Sequence, residues 1–192
     1  MEKTENLAVA VHHNTDGAVE RLVKLHQDSL FGYALRLLQD HFEAEEVTQD
    51  TFLRAIRALS SRYDEEKCTN LVLRPWLFRI ARNLAFDRRR ARLPLEASLS
   101  GSGDGAEMEC PALVGADRGL EKLEQRALME RALGKLSSEA RDLILLRFME
   151  EMSYSEIAGI VRSGESAVRG KIFRALRKLR KTLEKTGDRN EM

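Results

Sequence analysis

Apolar residues recur along this chain at steps of three and four, and no stretch sustains an alternation at steps of two. The first period belongs to helices and the second to strands, so the chain is expected to be all-α. From Asp16, placed to cap, Val19, Leu22, Val23, Leu30, Ala34, Leu37 and Leu38 share one face, with Phe31 and Tyr33 widening it. Asp40 and His41 break that run. A second helix is predicted from Glu43 to Ser60, with Ala44, Val47, Thr51, Ala55, Ile56 and Leu59 inward. Residues 61–73 hold no sustained period and read as a loop. Arg74 and Pro75 start a third helix, since proline is tolerated in a first turn. Its inward face is Trp76, Leu77, Ile80, Ala81 and Leu84, and Pro94 is expected to end it. Residues 1–15 are unpatterned and are expected to be frayed, with His12 and His13 as surface histidines.

The second half repeats the period. Arg118 to Leu136 keeps Leu120, Leu123, Ala127, Leu128, Ala132 and Leu133 in step, and Ser137-Ser138-Glu139 caps a helix bearing Leu143, Ile144, Leu146 and Phe148. A short helix, Tyr154 to Val161, turns Ile157, Ala158 and Val161 inward. Arg162-Ser163-Gly164 is the break, with Gly164 expected to be left-handed and Ser163 or Glu165 available to cap the next helix. That long basic helix places Val168, Ile172, Leu176, Leu179 and Leu183 on one stripe, and Ser166, Gly170, Arg174, Arg177 and Lys181 on the opposite one. Short helix, tight turn and basic helix make a helix-turn-helix, whose second helix lies in a DNA major groove. The predicted organisation is two small helical domains. A bundle over 16–93 and a module over 118–186 are joined by a flexible acidic linker over 94–117, with a polar tail over 187–192.

Charge changes the picture more than composition does. The formal net charge of the 192 residues is +1, yet charges are segregated. Arg74 to Arg92 holds seven arginines against one acid, and Glu165 to Lys185 eight Lys or Arg against two Glu. Asp40 to Asp50 holds five acids and no Lys or Arg, as does the span from Leu93 to Asp117. Such segregation points to a polyanionic partner and a separate acid-presenting surface. Cys68 and Cys110 stand apart, without disulfide or zinc spacing, and read as inert reduced thiols. No apolar run is long enough to span a bilayer and no signal-peptide core is present, so the chain is expected to be cytoplasmic, without membrane insertion.

Carboxylates favour the first turn of a helix, which accounts for Glu43 to Glu46 but not for Asp50, two turns in. An acidic docking face and plain dipole chemistry remain alternatives there. In the third helix Phe78, Arg79, Arg82, Asn83, Phe86, Arg88, Arg89 and Arg90 are interleaved beside Trp76. Guanidinium planes and rings both stack on unpaired bases, and Asn can read a base edge, so this helix suits single-stranded nucleic acid. Core packing is the alternative for Phe78 and Phe86, and a solvated helix end for Arg88 to Arg90. No nucleophile–base pair, phosphate-cradling loop or metal-ligand spacing is present, so no catalytic residue, metal or cofactor is expected.

The segments DHFEAEEVTQDTFLRAIRAL and RPWLFRIARNLAFDRRR resemble region 2 of the extracytoplasmic-function group of bacterial sigma-70-type factors. The segment LGKLSSEARDLILLRFMEEMSYSEIAGIVRSGESAVRGKIFRALRKLRKTL resembles their region 4. The resemblance implies a dissociable subunit that binds core RNA polymerase and directs promoter recognition, under control of an anti-sigma factor. It implies that Glu45, Glu46, Gln49 and Asp50 dock on the coiled coil of the largest polymerase subunit. Trp76, Phe78, Arg79, Arg82, Asn83, Arg88 and Arg89 would open the −10 element and hold a flipped non-template base. Arg169, Gly170, Lys171, Phe173, Arg174, Arg177 and Lys178 would bind the duplex −35 element. Two departures stand out: the 61–73 segment is long for the group, and Gly170 replaces a small polar residue. The alternatives are a helix-turn-helix regulator acting on duplex DNA without polymerase, and an RNA-binding protein.

Overall fold

The computed structural model of the chain describes residues 6–99 and 120–187, with side chains over 6–91 and 127–184. Among these residues the regular elements are all helical, and no helix is long and apolar enough to cross a membrane. The chain divides into two compact units, Met1–Ala106 and Glu107–Met192.

In the first unit α2 (Ala18–Leu38), α3 (His41–Ser61) and α5 (Leu73–Leu99) pack on one another, with α1 (Leu7–His12) against α2 and α3, and α4 (Glu65–Thr69) against α1. The expected stripes form the core: Leu22, Leu30, Tyr33, Ala34 and Leu37 meet Ala44, Val47, Thr51, Ala55 and Leu59, and Leu77, Ala81 and Leu84 close it. The α2–α3 corner is set by two residues. Gln39 takes a left-handed conformation at φ 59°, and its N–H bonds Leu35 O at 2.7 Å. Asp40 then caps α3 by accepting from Glu43 N–H at 3.0 Å.

The structure corrects four expectations in this unit. Residues 7–12, expected to fray, form α1; its buried Ala8, Ala10 and Val11 are too few and too small to register as an apolar period. Asp16 does not cap α2, whose boundary is Gly17 at φ 70°, a conformation glycine adopts without a Cβ clash. The 61–73 segment is not all loop: Asp64 caps α4 by accepting from Lys67 N–H at 2.9 Å, and Cys68 is fully buried there. Pro94 does not end the third helix, which continues to Leu99. A proline inside a helix deletes one backbone bond and can kink the axis instead of stopping it. The rest of the expected linker, from residue 100 on, and Cys110 lie outside the described residues, as do the last residues of the expected tail.

Two buried groups have their chemistry set by this packing. Burial, and then the Arg74 charge, push the pKa of His26 below its ordinary value, so the imidazole is neutral in the core. Burial, reinforced by Asp64 and Glu65 and opposed by Lys67, raises the pKa of Cys68, which keeps it a thiol of low reactivity.

The second unit holds α6 (Leu120–Gly134), α7 (Ser138–Ile144), α8 (Tyr154–Val161) and α9 (Glu165–Gly187), with a π turn over Leu145–Met149 after α7. Ser137 caps α7 by accepting from Ala140 N–H. The π turn closes on the bond from Glu150 N–H to Leu145 O at 3.0 Å. It departs from the α-helical register, and Phe148, expected on the apolar face, is half exposed. Met152, Ile157, Ile160, Val168, Ile172, Ala175 and Leu179 form the core under the helix-turn-helix.

The ends of α8 fall where the sequence places them. Ser153 and Glu156 form a capping box: Glu156 N–H donates to Ser153 Oγ at 3.2 Å, and Ser153 N–H donates to Glu156 Oε2 at 2.8 Å. Ser153→Ala is expected to destabilise this unit by about 1 kcal/mol, seen as a lower midpoint in urea denaturation followed by circular dichroism. The turn differs in one residue. Arg162, not Gly164, is left-handed, at φ 53° and ψ 51°, and its N–H bonds Ala158 O. That places a non-glycine residue where glycine has no steric cost, and the bond from its N–H to Ala158 O closes the helix there.

Candidate nucleic-acid interfaces

Helix α9 is built to present one face. Val168, Ile172, Ala175 and Leu179 are buried, which leaves Arg169, Lys171, Phe173, Arg174, Arg177 and Lys178 exposed on the remaining surface. Phe173 is 69% exposed on an otherwise cationic helix, an arrangement that no packing within this unit accounts for. Arg169 is held in place: its guanidinium lies 3.1 Å from Glu165 and 4.8 Å from the Tyr154 ring centroid. A Cβ built on Gly170 would meet only Arg174 Nη1, at 3.7 Å, so packing does not demand glycine there. Its absent side chain leaves the helix backbone open between Arg169 and Arg174.

In the first unit the third predicted helix meets α3 across a pocket of about 480 Å3. Arg54, Arg57 and Ala58 come from α3, Arg62 and Tyr63 from the turn after it, and Trp76, Ile80 and Asn83 from α5. The Tyr63 and Trp76 rings lie 5.7 Å apart, and Lys67 Nζ sits 3.9 Å over the Tyr63 ring. Trp76 is only 5% exposed and backs the half-buried Tyr63 ring, so Tyr63 and the exposed Asn83 amide, with arginines around them, are the groups that can stack a flat heterocycle and hydrogen-bond its edge.

Of the residues expected to contact unpaired DNA, Trp76 and Asn83 line this pocket. Phe78 does not: it is fully buried, edge-on to Tyr33 at 5.3 Å, because its direction on α5 points toward α2. Arg79 and Arg82 are half-buried outside the lining, Arg82 lying 4.4 Å over the Phe86 ring. Arg88 and Arg89 are half-buried, with partners on α3 and α2. Arg88 bonds Glu46 through Nη1 and Asp50 through Nη2, the latter at 3.1 Å, and Arg89 Nη1 reaches Leu37 O at 3.5 Å. Burial opposes the charge on Arg88, and the hydrogen bonds and charges of Glu46 and Asp50 outweigh it, so its pKa lies above the ordinary arginine value. Arg54, Arg57, Arg62 and Tyr63 are not singled out by the sequence. The available signal is Arg54, Arg57, Ala58 and Arg62 at steps of three, one and four, a cationic stripe on the half of α3 that comes after the acids.

The acidic face is also divided by the fold. Glu45 and Gln49 are exposed, while Glu46 and Asp50 are half-buried beside Arg88. Phe42 is 67% and Leu53 52% exposed on the same side of α3, so polar residues at its centre are flanked by apolar ones.

Residues 22–93 match the family Sigma-70 region 2, and residues 126–179 match Sigma-70, region 4. The ECF RNA polymerase sigma factor SigL of Mycobacterium tuberculosis is 34% identical over 163 residues, covering 84% of this chain and 86% of that one. The chain belongs to the ECF sigma factors. It is also 29% identical to the RNA polymerase sigma-H factor of Pseudomonas aeruginosa, over 95% of each chain. Among solved structures, CnrH in complex with the cytosolic domain of CnrY superposes with a TM-score of 0.66 at 28% identity, covering 93% of this chain and 95% of that one. An ECF sigma factor is a transcription-initiation subunit and not an enzyme. The pocket and the acidic face both lie in its region 2, and α9 in its region 4.

Proposed function

We propose that this ECF sigma factor reads promoters with three surfaces: the cationic face of α9, the α3–α5 pocket and the acidic face of α3. Helix α9 enters the major groove of the −35 element, with Arg169, Phe173 and Arg174 at base edges and Lys171, Arg177 and Lys178 on phosphates. The pocket between α3 and α5 takes one unstacked non-template base of the −10 element, stacked on Tyr63, which Trp76 backs, and met by Asn83. Glu45 and Gln49, with the outer oxygens of Glu46 and Asp50, dock on the coiled coil of the largest polymerase subunit. The factor works in the cytoplasm and is held in check by an anti-sigma protein. The solved complex of its relative CnrH with a domain of a second protein supports that last part of the reading.

The observation that carries the proposal is the pairing, in one chain, of an exposed cationic helix bearing Phe173 with a pocket walled by Tyr63 and rimmed by Arg54, Arg57 and Arg62. Duplex contact and single-strand capture are thereby separated between two modules, as promoter opening requires. The test is run-off transcription from candidate promoters with sigma-free core polymerase. Product only when both components are present supports the reading. Strong sequence-specific shifts of duplex DNA without polymerase would favour a free-standing regulator instead.

The two roles given to α9 can be told apart. Arg174→Ala is expected to relax −35 choice, at about 1–3 kcal/mol of lost discrimination. Lys178→Ala is expected to weaken binding to every promoter alike and to lower the slope of log K against log salt by about 1. Binding titrations over a salt series with matched and mismatched −35 sequences distinguish them; equal losses on all sequences for both variants would overturn the division.

A further inference from the structure

We propose that helix α1 is a brace for the α3–α5 pocket, with Asn6 and His12 as positioning residues for single-strand capture. The inference rests on the reading of that pocket as the site of the −10 base, and its test is chosen to separate the two.

A chain of hydrogen bonds and ring contacts runs from Asn6 to the pocket wall. Asn6 faces two ways. Its Oδ1 accepts from Ala8 N–H at 3.1 Å, which caps α1, while its Nδ2 donates to Thr69 O at 3.0 Å and reaches Cys68 O at 3.5 Å. Thr69 ends α4, where a helix has no donor of its own to offer a carbonyl. His12 does the same for α3: its Nδ1 lies 2.9 Å from the oxygen of Leu59, a carbonyl in the last turn. A carbonyl oxygen only accepts, so Nδ1 carries the proton. His13 Nε2 lies 3.4 Å from the Glu65 carboxylate at the start of α4. Helix α1 therefore ties the end of α3 to both ends of α4, and Ala8, Ala10, Val11 and Cys68 are buried there.

The strapped segment is the one that carries Arg62 and Tyr63 into the pocket. Lys67, in the middle of α4, lies over the Tyr63 ring, and Tyr63 lies against Trp76. Helix α4 has five residues, far below the length at which a helix holds itself in water. Its position, and that of the Tyr63 ring under Lys67, thus depends on what it is tied to. Releasing α1 leaves the pocket residues in place in the chain but loosens one wall, so binding a base must then include the cost of ordering it.

The molecule supplies its own reporter, because Trp76 is its single tryptophan. The variant is the full chain carrying Asn6→Ala and His12→Ala, studied at temperatures where circular dichroism shows it folded. Acrylamide quenching of Trp76 is expected to rise about twofold. Holoenzyme made with the variant is expected to bind a labelled non-template −10 strand about 5–10-fold more weakly. The strand is taken from a promoter that gives run-off product. Affinity for core polymerase and for duplex −35 DNA is expected to be unchanged. His12→Gln, which keeps an N–H donor, is expected to recover more strand binding than His12→Ala; equal losses would overturn the assignment of that bond. Unchanged quenching and unchanged strand affinity in a folded variant would reduce α1 to a stabiliser and sink the proposal. Raised quenching with a wild-type holoenzyme that ignores the strand would retain the brace and remove the base-site reading. If the double variant does not fold, Asn6→Asp keeps the Oδ1 cap, removes the Nδ2 donor and carries the same expectations.

Discussion

Phe78→Ala is expected to destabilise the N-terminal unit by about 3–5 kcal/mol, a large share of what holds a small domain together. The ring is fully buried, edge-on to Tyr33, with the Arg74 guanidinium 5.3 Å from its centroid. Truncation removes those contacts and leaves a cavity between α2 and α5 that neighbours on rigid helices can only partly fill. Loss of promoter opening in this variant is therefore expected to track loss of folded protein. Phe78→Leu separates the two accounts, because it keeps most of the apolar volume and none of the aromatic face. Folded Phe78→Leu protein is expected to open promoters at nearly the wild-type rate, measured by permanganate reactivity of the −10 segment. A folded Phe78→Leu protein that cannot open them would show that the ring stacks on a base.

The same residue illustrates what a sequence can and cannot convey. The apolar stripes of α2, α3 and α5 are legible because burial repeats at the helical period, and Tyr154–Val161 is legible to the residue because the Arg162-Ser163-Gly164 break follows it directly; the capping box of Ser153 and Glu156 fixes its other end in the structure. A periodicity says that a residue is on an apolar face, but not how wide that face is. Two residues apart on α5, Trp76 and Phe78 leave the helix on nearly opposite sides, and only the positions of α2 and α3 determine that one ring lines a pocket and the other packs on Tyr33. The left-handed turn residue escapes for a related reason. Intrinsic preference favours Gly164, whereas the geometry of the turn assigns φ 53° to Arg162. The α3 wall of the pocket is hidden because Arg54 and Arg57 read as an ordinary solvated stripe until α5 is set beside them. Helix α1 carries almost no apolar signal, since its anchoring bonds run from side chains to backbone carbonyls some 47 to 63 residues away in sequence.

Arg88 is the clearest case of a contact that composition alone does not reveal. Within Arg88-Arg89-Arg90 nothing local marks one arginine as different, yet Arg88 bridges two acids 42 and 38 residues earlier. Arg90 is 79% exposed and lies 3.7 Å from Asp87, an ordinary surface pair. Arg88→Ala is expected to destabilise the N-terminal unit by about 1.5–3 kcal/mol, the range for hydrogen bonds to charged groups. The value should fall toward the lower end because Glu46 and Asp50 remain 43% and 42% exposed and solvent screens them. Arg90→Ala is expected to change stability by less than about 0.5 kcal/mol. Losing the bridge also leaves Glu46 and Asp50 one turn apart with no cation between them, which raises the negative potential on the docking face. Double-mutant cycles with Glu46→Gln and Asp50→Asn should return a coupling energy for Arg88 and none for Arg90. The decisive measurement is the salt dependence of promoter binding. A phosphate-contacting arginine would lower the slope by about 1 when removed. Arg88→Ala is expected to leave that slope at the wild-type value, because its guanidinium is already occupied by α3.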